Sequence, residues 1–163
     1  MNDEAQQTIL PYSHTQIGVK ALIGLGAGFL TQLGKAVRDV QRHRKEAWIS
    51  VPLTVGFVGV MATFSSLKVT VDDASVTAGF TGGVLRRRIA VDEIASAEVV
   101  AVPWYRGWGM RRMGHGWLYN VSGRAAVKLG LTDEGTFTIG SDQPETLLAA
   151  IEQARAQRAP TAA

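Results

Sequence analysis

The sequence contains no cysteine, and this absence excludes two ways of stabilising a small domain. Neither a disulfide nor a metal site built on thiolates can form. The cysteine content therefore does not indicate whether the protein works in an oxidising or a reducing compartment. Histidine is scarce as well, and no pair among His14, His43 and His115 has the spacing of metal ligands. The sequence therefore predicts neither a bound metal ion nor a cofactor.

Catalytic motifs are also lacking. The chain has no phosphate-binding loop, no glycine-rich dinucleotide-binding loop and no serine nucleophile elbow. Its two pairs of adjacent acids, Asp92–Glu93 and Asp133–Glu134, fall at predicted turns, where acidic residues are common for structural reasons. We therefore expect a protein that binds rather than an enzyme.

Positive charge is unevenly distributed along the chain. The formal net charge is +3, and residues 35–46 alone carry five basic side chains against two acidic ones. A nucleic-acid-binding domain more often spreads its basic residues over a folded face. The distribution therefore argues against a nucleic-acid partner.

Two apolar runs lie near the N-terminus. The stronger one, residues 47–67, has 21 residues without an ionisable side chain. As a helix this run would be about 31 Å long, which is enough to cross a hydrocarbon core of about 30 Å. The earlier run, residues 17–34, is weaker because it contains Lys20 and Gln32. Both runs contain glycines spaced for close helix packing. These are Gly24, Gly28, Gly56 and Gly59.

These runs predict two N-terminal transmembrane helices that form a hairpin over residues 17–67, joined by the basic loop 35–46. A soluble helical hairpin is the alternative, but helices rich in glycine, valine and threonine form poorly in water. We therefore expect a protein integral to the cytoplasmic (inner) membrane. The positive charges place the basic loop in the cytoplasm and the C-terminal domain outside.

From residue 67 onward the hydrophobic period is two, which is typical of strands. Turn-forming residues separate about seven such segments, and one amphipathic helix follows, starting near Asp142. We predict an antiparallel barrel or bent sandwich over residues 68–157, with the C-terminal helix capping one end. We expect residues 1–16 to be an N-terminal tail. We expect residues 158–163 to be a disordered C-terminal tail.

Three segments carry a resemblance to a known family. They are TGGVLRRRIAVDEI at 81–94, the tryptophan-rich segment at 103–123 and IGSDQPETLLAAI at 139–151. Together with seven strands and a capping helix, they resemble an uncharacterised group of bacterial membrane proteins with two transmembrane helices before a pleckstrin-homology-like (PH-like) domain. The resemblance covers roughly residues 14–155. It implies a non-catalytic domain in the cytoplasm, against the charge pattern, so the side of the membrane stays open.

Arginines on one predicted strand and in a later loop are candidates for binding anions. Arg86 and Arg88 share a face of their strand, because side chains alternate along it. With Arg111 and Arg112 they would form a patch for lipid phosphates. The alternative is a solvated edge strand whose charges discourage aggregation.

Segment 103–123 places tryptophans, tyrosines and arginines among glycines, which predicts an irregular connection. Its candidate interaction residues are Trp104, Tyr105, Arg106 and Trp108. This loop could contact a ligand or lie at headgroup depth beside a bilayer. It could also cover the mouth of the barrel while Trp117 and Tyr119 point into the core. The sequence leaves these three interpretations open.

These features predict a membrane-anchored binding module that contacts anionic lipid headgroups or a protein partner, with the helix pair available for homo-oligomerisation. The alternative is a structural subunit of a membrane protein complex with no ligand of its own. Salt-sensitive binding through the four arginines would indicate lipid. Dependence on Trp104, Tyr105 and Trp108 would indicate a protein interface.

Overall fold

The computed structural model describes residues 10–42, 47–83, 85–103, 109–121 and 123–158. Within these ranges the chain forms nine strands and three α-helices. In chain order they are β1 (Tyr12–Ile17), α1 (Val19–Gln41), α2 (Ala47–Thr63), β2 (Ser66–Val71), β3 (Ser75–Phe80), β4 (Arg86–Ala90), β5 (Ile94–Ala101), β6 (Gly109–Met113), β7 (Gly116–Asn120), β8 (Ala125–Leu131), β9 (Thr136–Gly140) and α3 (Pro144–Arg158).

The strands form two sheets. The first has the order β1-β2-β3-β4 and is antiparallel, and the second has the order β5-β8-β9-β7-β6 with one parallel pair, β7 and β9. Strand β1 pairs with β2 so that Ile17 lies opposite Ser66, although both helices separate the two strands in the chain. Helices α1 and α2 are therefore a hairpin inserted between paired strands. The Gly18 N–H donates to the Ser65 carbonyl (2.8 Å) where the two ends of this hairpin meet.

Nine strands within the described residues make the prediction of seven wrong. The pattern did not reveal β1, because its sequence YSHTQI is mostly polar and its partner β2 is remote in the chain. It also did not reveal β6, which lies in the segment expected to be irregular. The left-handed glycines there, Gly109 (φ 98°) and Gly114 (φ 55°), are the first residue of β6 and the turn residue that follows its end, so neither interrupts the strand.

The prediction of two transmembrane helices is also wrong. No helix in the described part of the chain is long and apolar enough to cross a membrane, which contradicts the expected integral location in the cytoplasmic membrane. Helix α2 is apolar but ends at Thr63 after 17 residues, since Ser66 already belongs to β2. Helix α1 has 23 residues, but it extends into the expected basic loop and so includes Lys35, Arg38 and Asp39.

The surroundings of three of the four candidate packing glycines are described, and one of these faces the opposite helix. A Cβ atom at Gly28 would lie 4.0 Å from the ring of Phe57 on α2, whereas one at Gly56 or Gly59 would meet no described atom within 4 Å. Gly24 lies on α1, but its surroundings are outside the described residues. The two helices therefore do not approach each other through the α2 glycines.

The main core lies between the two sheets and is closed at one end by α3. Its largest buried side chains come from both sheets and from this helix. They include Leu67, Val71, Val76, Ile89, Leu129, Phe137, Ile139, Leu147 and Ile151. Each such side chain contributes about 1.5–3 kcal/mol when it is removed from water, so this layer is the main source of stability.

A chain of aromatic rings connects the sheets. The ring centroid of Phe80 on β3 lies 5.1 Å from that of Tyr119 on β7, which in turn lies 4.9 Å from that of Phe137 on β9. The guanidinium of Arg87 on β4 lies 5.1 Å from the centroid of the Phe137 ring. Arg87 therefore turns toward the core, while the arginines on either side of it face outward.

Contacts at both ends hold α3 in place. Asp142, expected to cap the helix, accepts a hydrogen bond from His14 Nε2 (2.7 Å) and so joins the helix start to β1. Near the C-terminal end, Arg155 donates to a carbonyl of β5 (2.7 Å) and Arg158 to the carbonyl of Asp73 in the β2–β3 turn (2.8 Å). The helix is therefore connected to both sheets.

Candidate anion-binding site

The outward face of the first sheet carries hydroxyl and basic side chains, because the alternate positions of its strands fill the core. From β1 to β4 the polar and glycine residues on this face are Ser13, Thr15, Ser66, Lys68, Thr70, Ser75, Thr77, Gly79, Arg86 and Arg88, and its apolar members are Ile17 and Ala90 at the margins. The set contains three cations and no acid. A surface of this composition suits an anionic ligand better than a cationic or apolar one.

Strand register aligns two of these cations across a gap. Thr15 lies opposite Lys68, Lys68 opposite Gly79, and Gly79 opposite Arg86, so the four residues form one row across the sheet. Gly79 has no side chain, and a Cβ there would lie 3.4 Å from Cβ and Cγ of Arg86. The missing side chain therefore leaves a space between the two cations.

This space belongs to a groove of about 360 Å³, which is within the size range of small-molecule sites. Besides the row itself, the groove is lined by Ser66, Thr70, Thr77, Phe80 and the turn 81–83. In that turn, Gly82 (φ 75°) and Gly83 (φ 70°) adopt the left-handed conformation that glycine tolerates best.

The hydroxyl of Thr81 is held in position at one end of the groove. Its Oγ1 accepts a hydrogen bond from the Ser66 N–H (3.1 Å) and lies 2.8 Å from the Ser66 hydroxyl and 3.0 Å from that of Ser65. Ser65 and Ser66 connect α2 to β2. The end of the groove is therefore fixed against the base of the helical hairpin.

Lys68 and Arg86 are exposed cations without an acidic partner in the described part of the chain, where neither has a carboxylate oxygen within 4 Å. Arg88 differs, because its Nε donates to the Ser75 hydroxyl (2.9 Å), which also bonds to Asp72. Lys68 on β2 and Arg86 on β4 are separated by β3, which is a spacing of about 10 Å between their backbones, so an anion above Gly79 could contact both side chains. The pair formed by Lys68 and Arg86 is therefore the part of the face best suited to hold an anion.

Asp72 is held as a carboxylate at the far end of this face. The backbone N–H of Ala74 (2.8 Å) is the main cause that lowers the pKa of Asp72 below its usual value of 3.8. The N–H (2.7 Å) and hydroxyl of Ser75 and the charge of Arg88 act in the same direction, against partial desolvation. The negative charge of Asp72 thus offsets the positive charge of Arg88. It does not offset the positive charges of Lys68 and Arg86.

We expect Asp72→Asn to weaken the fold at neutral pH by about 1 kcal/mol, because the amide accepts these hydrogen bonds less well. A depressed carboxyl pKa stabilises the folded state above the unfolded pKa, and this contribution is lost as the pH falls through the folded pKa. The difference between variant and wild type should therefore shrink toward pH ~2, measured by urea denaturation. Asp73→Asn is the matched control. If Asp72→Asn lowers the free energy of unfolding equally at both pH values, the carboxylate of Asp72 does not stabilise the fold through these hydrogen bonds.

The four candidate arginines lie on two different sheets. Arg86 and Arg88 are on β4 of the first sheet, and Arg111 and Arg112 are on β6 of the second. Successive residues of a strand face opposite sides, so Arg111 and Arg112 do not share a face either. The structure thus brings Arg86 together with Lys68 and not with the arginines of β6.

The four candidate interaction residues Trp104, Tyr105, Arg106 and Trp108 lie outside the described residues. The other aromatics of that segment are placed as one interpretation expected: Tyr119 is buried in the main core and Trp117 packs against it.

The sequence pattern did not single out Lys68, Gly79 or the hydroxyl residues of the groove. Lys68 marked only the end of the expected membrane run. A local signal did exist, because the turn at Asp72 and Asp73 predicts a hairpin of β2 with β3, and its register places Lys68 beside Gly79. Thr15 had no such signal, since it lies on β1.

No protein-family model matches the chain, and no curated protein or solved structure matches it either. The resemblance to PH-like bacterial proteins is not tested by these comparisons and stays a prediction.

The groove offers ligand-binding groups rather than groups for proton transfer. Its lining, as far as the chain is described, has hydroxyls, an ammonium and a guanidinium but no carboxylate and no imidazole. Within the same described ranges, no three histidine or acidic side chains cluster in a way that could hold a metal ion. Hydroxyl donors beside two cations are groups that bind phosphate or sulfate oxygens.

Proposed function

We propose that the chain is a non-catalytic binding module whose first sheet takes a phosphate group in the groove between Lys68 and Arg86. The observation that supports this function most directly is the strand register, which sets these two cations on either side of Gly79. The phosphate belongs either to a lipid headgroup or to a free small molecule. The chemistry at the groove is the same in both cases.

Phosphate fits the groove better than a simple carboxylate does. A phosphate has three or more acceptor oxygens, and the groove presents an ammonium, a guanidinium and several hydroxyl donors. Charge-assisted hydrogen bonds to such groups contribute about 1.5–3 kcal/mol each. Exposure of Lys68 and Arg86 to solvent lowers this contribution, so moderate and salt-sensitive affinity is expected.

The double variant Lys68→Gln/Arg86→Gln tests the proposal in the full chain. We expect affinity for phosphatidylcholine vesicles that contain a phosphatidylinositol phosphate to fall by about 10- to 100-fold, since two charge-assisted contacts are lost. The measurement is vesicle co-sedimentation at low and moderate salt. Phosphatidylcholine vesicles, whose headgroups carry no net charge and no phosphomonoester, measure any attachment that does not need an anionic headgroup.

The matched control is Arg111→Gln/Arg112→Gln, which removes the same charge from the other sheet. It should change the affinity by less than about 3-fold, the effect of distant exposed charges. If both double variants weaken binding equally, the attraction is a property of net charge and the groove is not the site. Isothermal titration with inositol phosphate, which is the headgroup without its lipid tails, and with inorganic phosphate then distinguishes the source: binding to vesicles and inositol phosphate but not to inorganic phosphate indicates a lipid headgroup, and comparable binding to inorganic phosphate indicates a free ligand.

Gly79→Val provides a test that leaves all charges in place. Valine is well suited to strands, and its side chain would fill the space beside Arg86. We expect an affinity loss of about 10-fold or more with little change in thermal stability. Unchanged affinity in this variant would show that phosphate does not enter the space above Gly79.

A further inference from the structure

The helical hairpin exposes large apolar side chains on both of its helices. Among the described residues, twelve of them are 40–74% exposed. They are Ile23, Leu30, Leu33, Val37 and Val40 on α1, and Trp48, Ile49, Val51, Leu53, Val55, Val58 and Val60 on α2. The buried residues of the hairpin are small by comparison, namely Ala36, Ser50 and Thr54. A helix that is apolar all round normally needs a covering on every side.

The rest of the described chain does not cover this surface. The hairpin is inserted between β1 and β2, and its principal contact with the β domain is where α2 meets the turn 81–83. Within α2, the Thr54 hydroxyl donates to the Ser50 carbonyl (2.7 Å), so this polar group is already satisfied inside the helix. Among the residues whose exposure is described, those exposed on α2 are all apolar, whereas α1 also exposes Thr31, Lys35, Arg38 and Gln41.

The exposed area is the size that a stable dimer needs. Full burial of one such side chain corresponds to about 60–120 Å² of apolar surface, so twelve half-exposed ones amount to roughly 500 Å² per copy. A standard interface buries about 800 Å² per partner, of which a little over half is apolar. The largest apolar patch on a typical monomer is about 300–600 Å² and often has a function, so this surface is of a size that binding sites commonly have.

We infer that the hairpin is a homodimerisation arm, in which α1 and α2 of two copies pack as a four-helix bundle. In a two-fold dimer each hairpin packs its exposed apolar face against the same face of the other copy. Each copy therefore removes the other's apolar side chains from water. Gly56 and Gly59 leave open backbone on the outer side of α2, where side chains of the second copy can approach closely.

Charge selects the antiparallel arrangement of the two arms. Lys35, Arg38 and Arg42 lie toward the tip of the hairpin, at the C-terminal end of α1. Arms that pointed the same way would bring the two basic tips together, and like charges at that distance repel. In the antiparallel arrangement the tips lie at opposite ends and residues midway along α2, such as Val55, lie near the two-fold axis.

Sedimentation velocity of the full chain without detergent tests the dimer. The wild type should sediment as a dimer, and Val58→Asp should raise the dimer dissociation constant by about 100-fold, because it places an unpaired charge in the interface. Val99→Asp is the matched control, since Val99 lies on β5 and is 40% exposed compared with 44% for Val58. A monomer at all concentrations, or equal effects of the two variants, would overturn the inference.

Disulfide cross-linking provides a second measurement that introduces no charge. The chain has no cysteine, so Val55→Cys and Val99→Cys each carry a single thiol. Val55→Cys should form a covalent dimer under mild oxidation, and Val99→Cys should not. Cross-linking through residue 99 alone would overturn the inference. Neutral vesicles provide a further check. If the chain floats with them and the Val55→Cys cross-link is then lost, the inference is overturned, because the apolar surface binds lipid instead of a second copy.

Discussion

Replacing Gly116 with alanine should destabilise the chain by about 3 kcal/mol, because the new methyl group has no space. Gly116 begins β7 and lies opposite Thr136 in the parallel pair with β9. A Cβ atom there would overlap the carbonyl oxygen and Oγ1 of Thr136 and would lie 2.6 Å from its carbonyl carbon. Most of this obstacle is backbone, so β9 must shift to make room. Urea denaturation measures the loss.

The same substitution at Gly34 is the matched control. Gly34 lies on α1, and a Cβ there would meet no described atom within 4 Å. Alanine should therefore raise helix stability there, by up to about 1 kcal/mol, since it loses less backbone entropy than glycine. If Gly116→Ala unfolds at the same urea concentration as the wild type, β7 and β9 are not in the register that the structure shows.

Elements with local signals could be predicted from the sequence. The alternation of Leu67, Val69 and Val71 with polar residues predicts β2, and the turn that follows predicts its hairpin with β3. Helix α3 could also be predicted, because its apolar residues recur at helical spacing after a proline at the first position. In each case the residues that determine the element lie within or next to it.

Elements whose determinants are remote could not be predicted. Strand β1 forms because Tyr12 and Gln16 pack on the inner face of a sheet whose other strands begin beyond the helices. The apolar run 47–67 had the composition of a membrane helix, but its last residues leave the helix to form β2. The hydrophobicity of a segment indicates that it avoids water. It does not indicate whether lipid, another part of the chain or a second protein covers the segment.

The candidate site shows the same division. Arg86 could be identified as an outward-facing cation from its strand alone. Its partner Lys68 depends on two strand registers, and Thr15 depends on a third across the inserted hairpin. Arg111 and Arg112 resembled equal partners by residue type, but the chain places them on the second sheet.

Truncating Phe137 to alanine should cost about 3–5 kcal/mol, the range for deleting a buried aromatic ring. Phe137 is fully buried on β9 and contacts Tyr119 at a centroid distance of 4.9 Å. It also lies beneath the guanidinium of Arg87, at 5.1 Å, so one ring links the second sheet to β4 of the first. Thermal and urea denaturation should both show the loss.

Phe137→Leu separates the volume of this side chain from the chemistry of its ring. Leucine fills much of the space, so the loss should be about 1–2 kcal/mol, including the contact with Arg87. Because Arg87 lies between the outward arginines of β4, loss of its anchor should also loosen that edge strand and lower phosphate affinity by a few-fold. If Phe137→Ala cost less than about 1 kcal/mol, the two sheets would not share a core at this position, and β4 would be held by its hydrogen bonds to β3 alone.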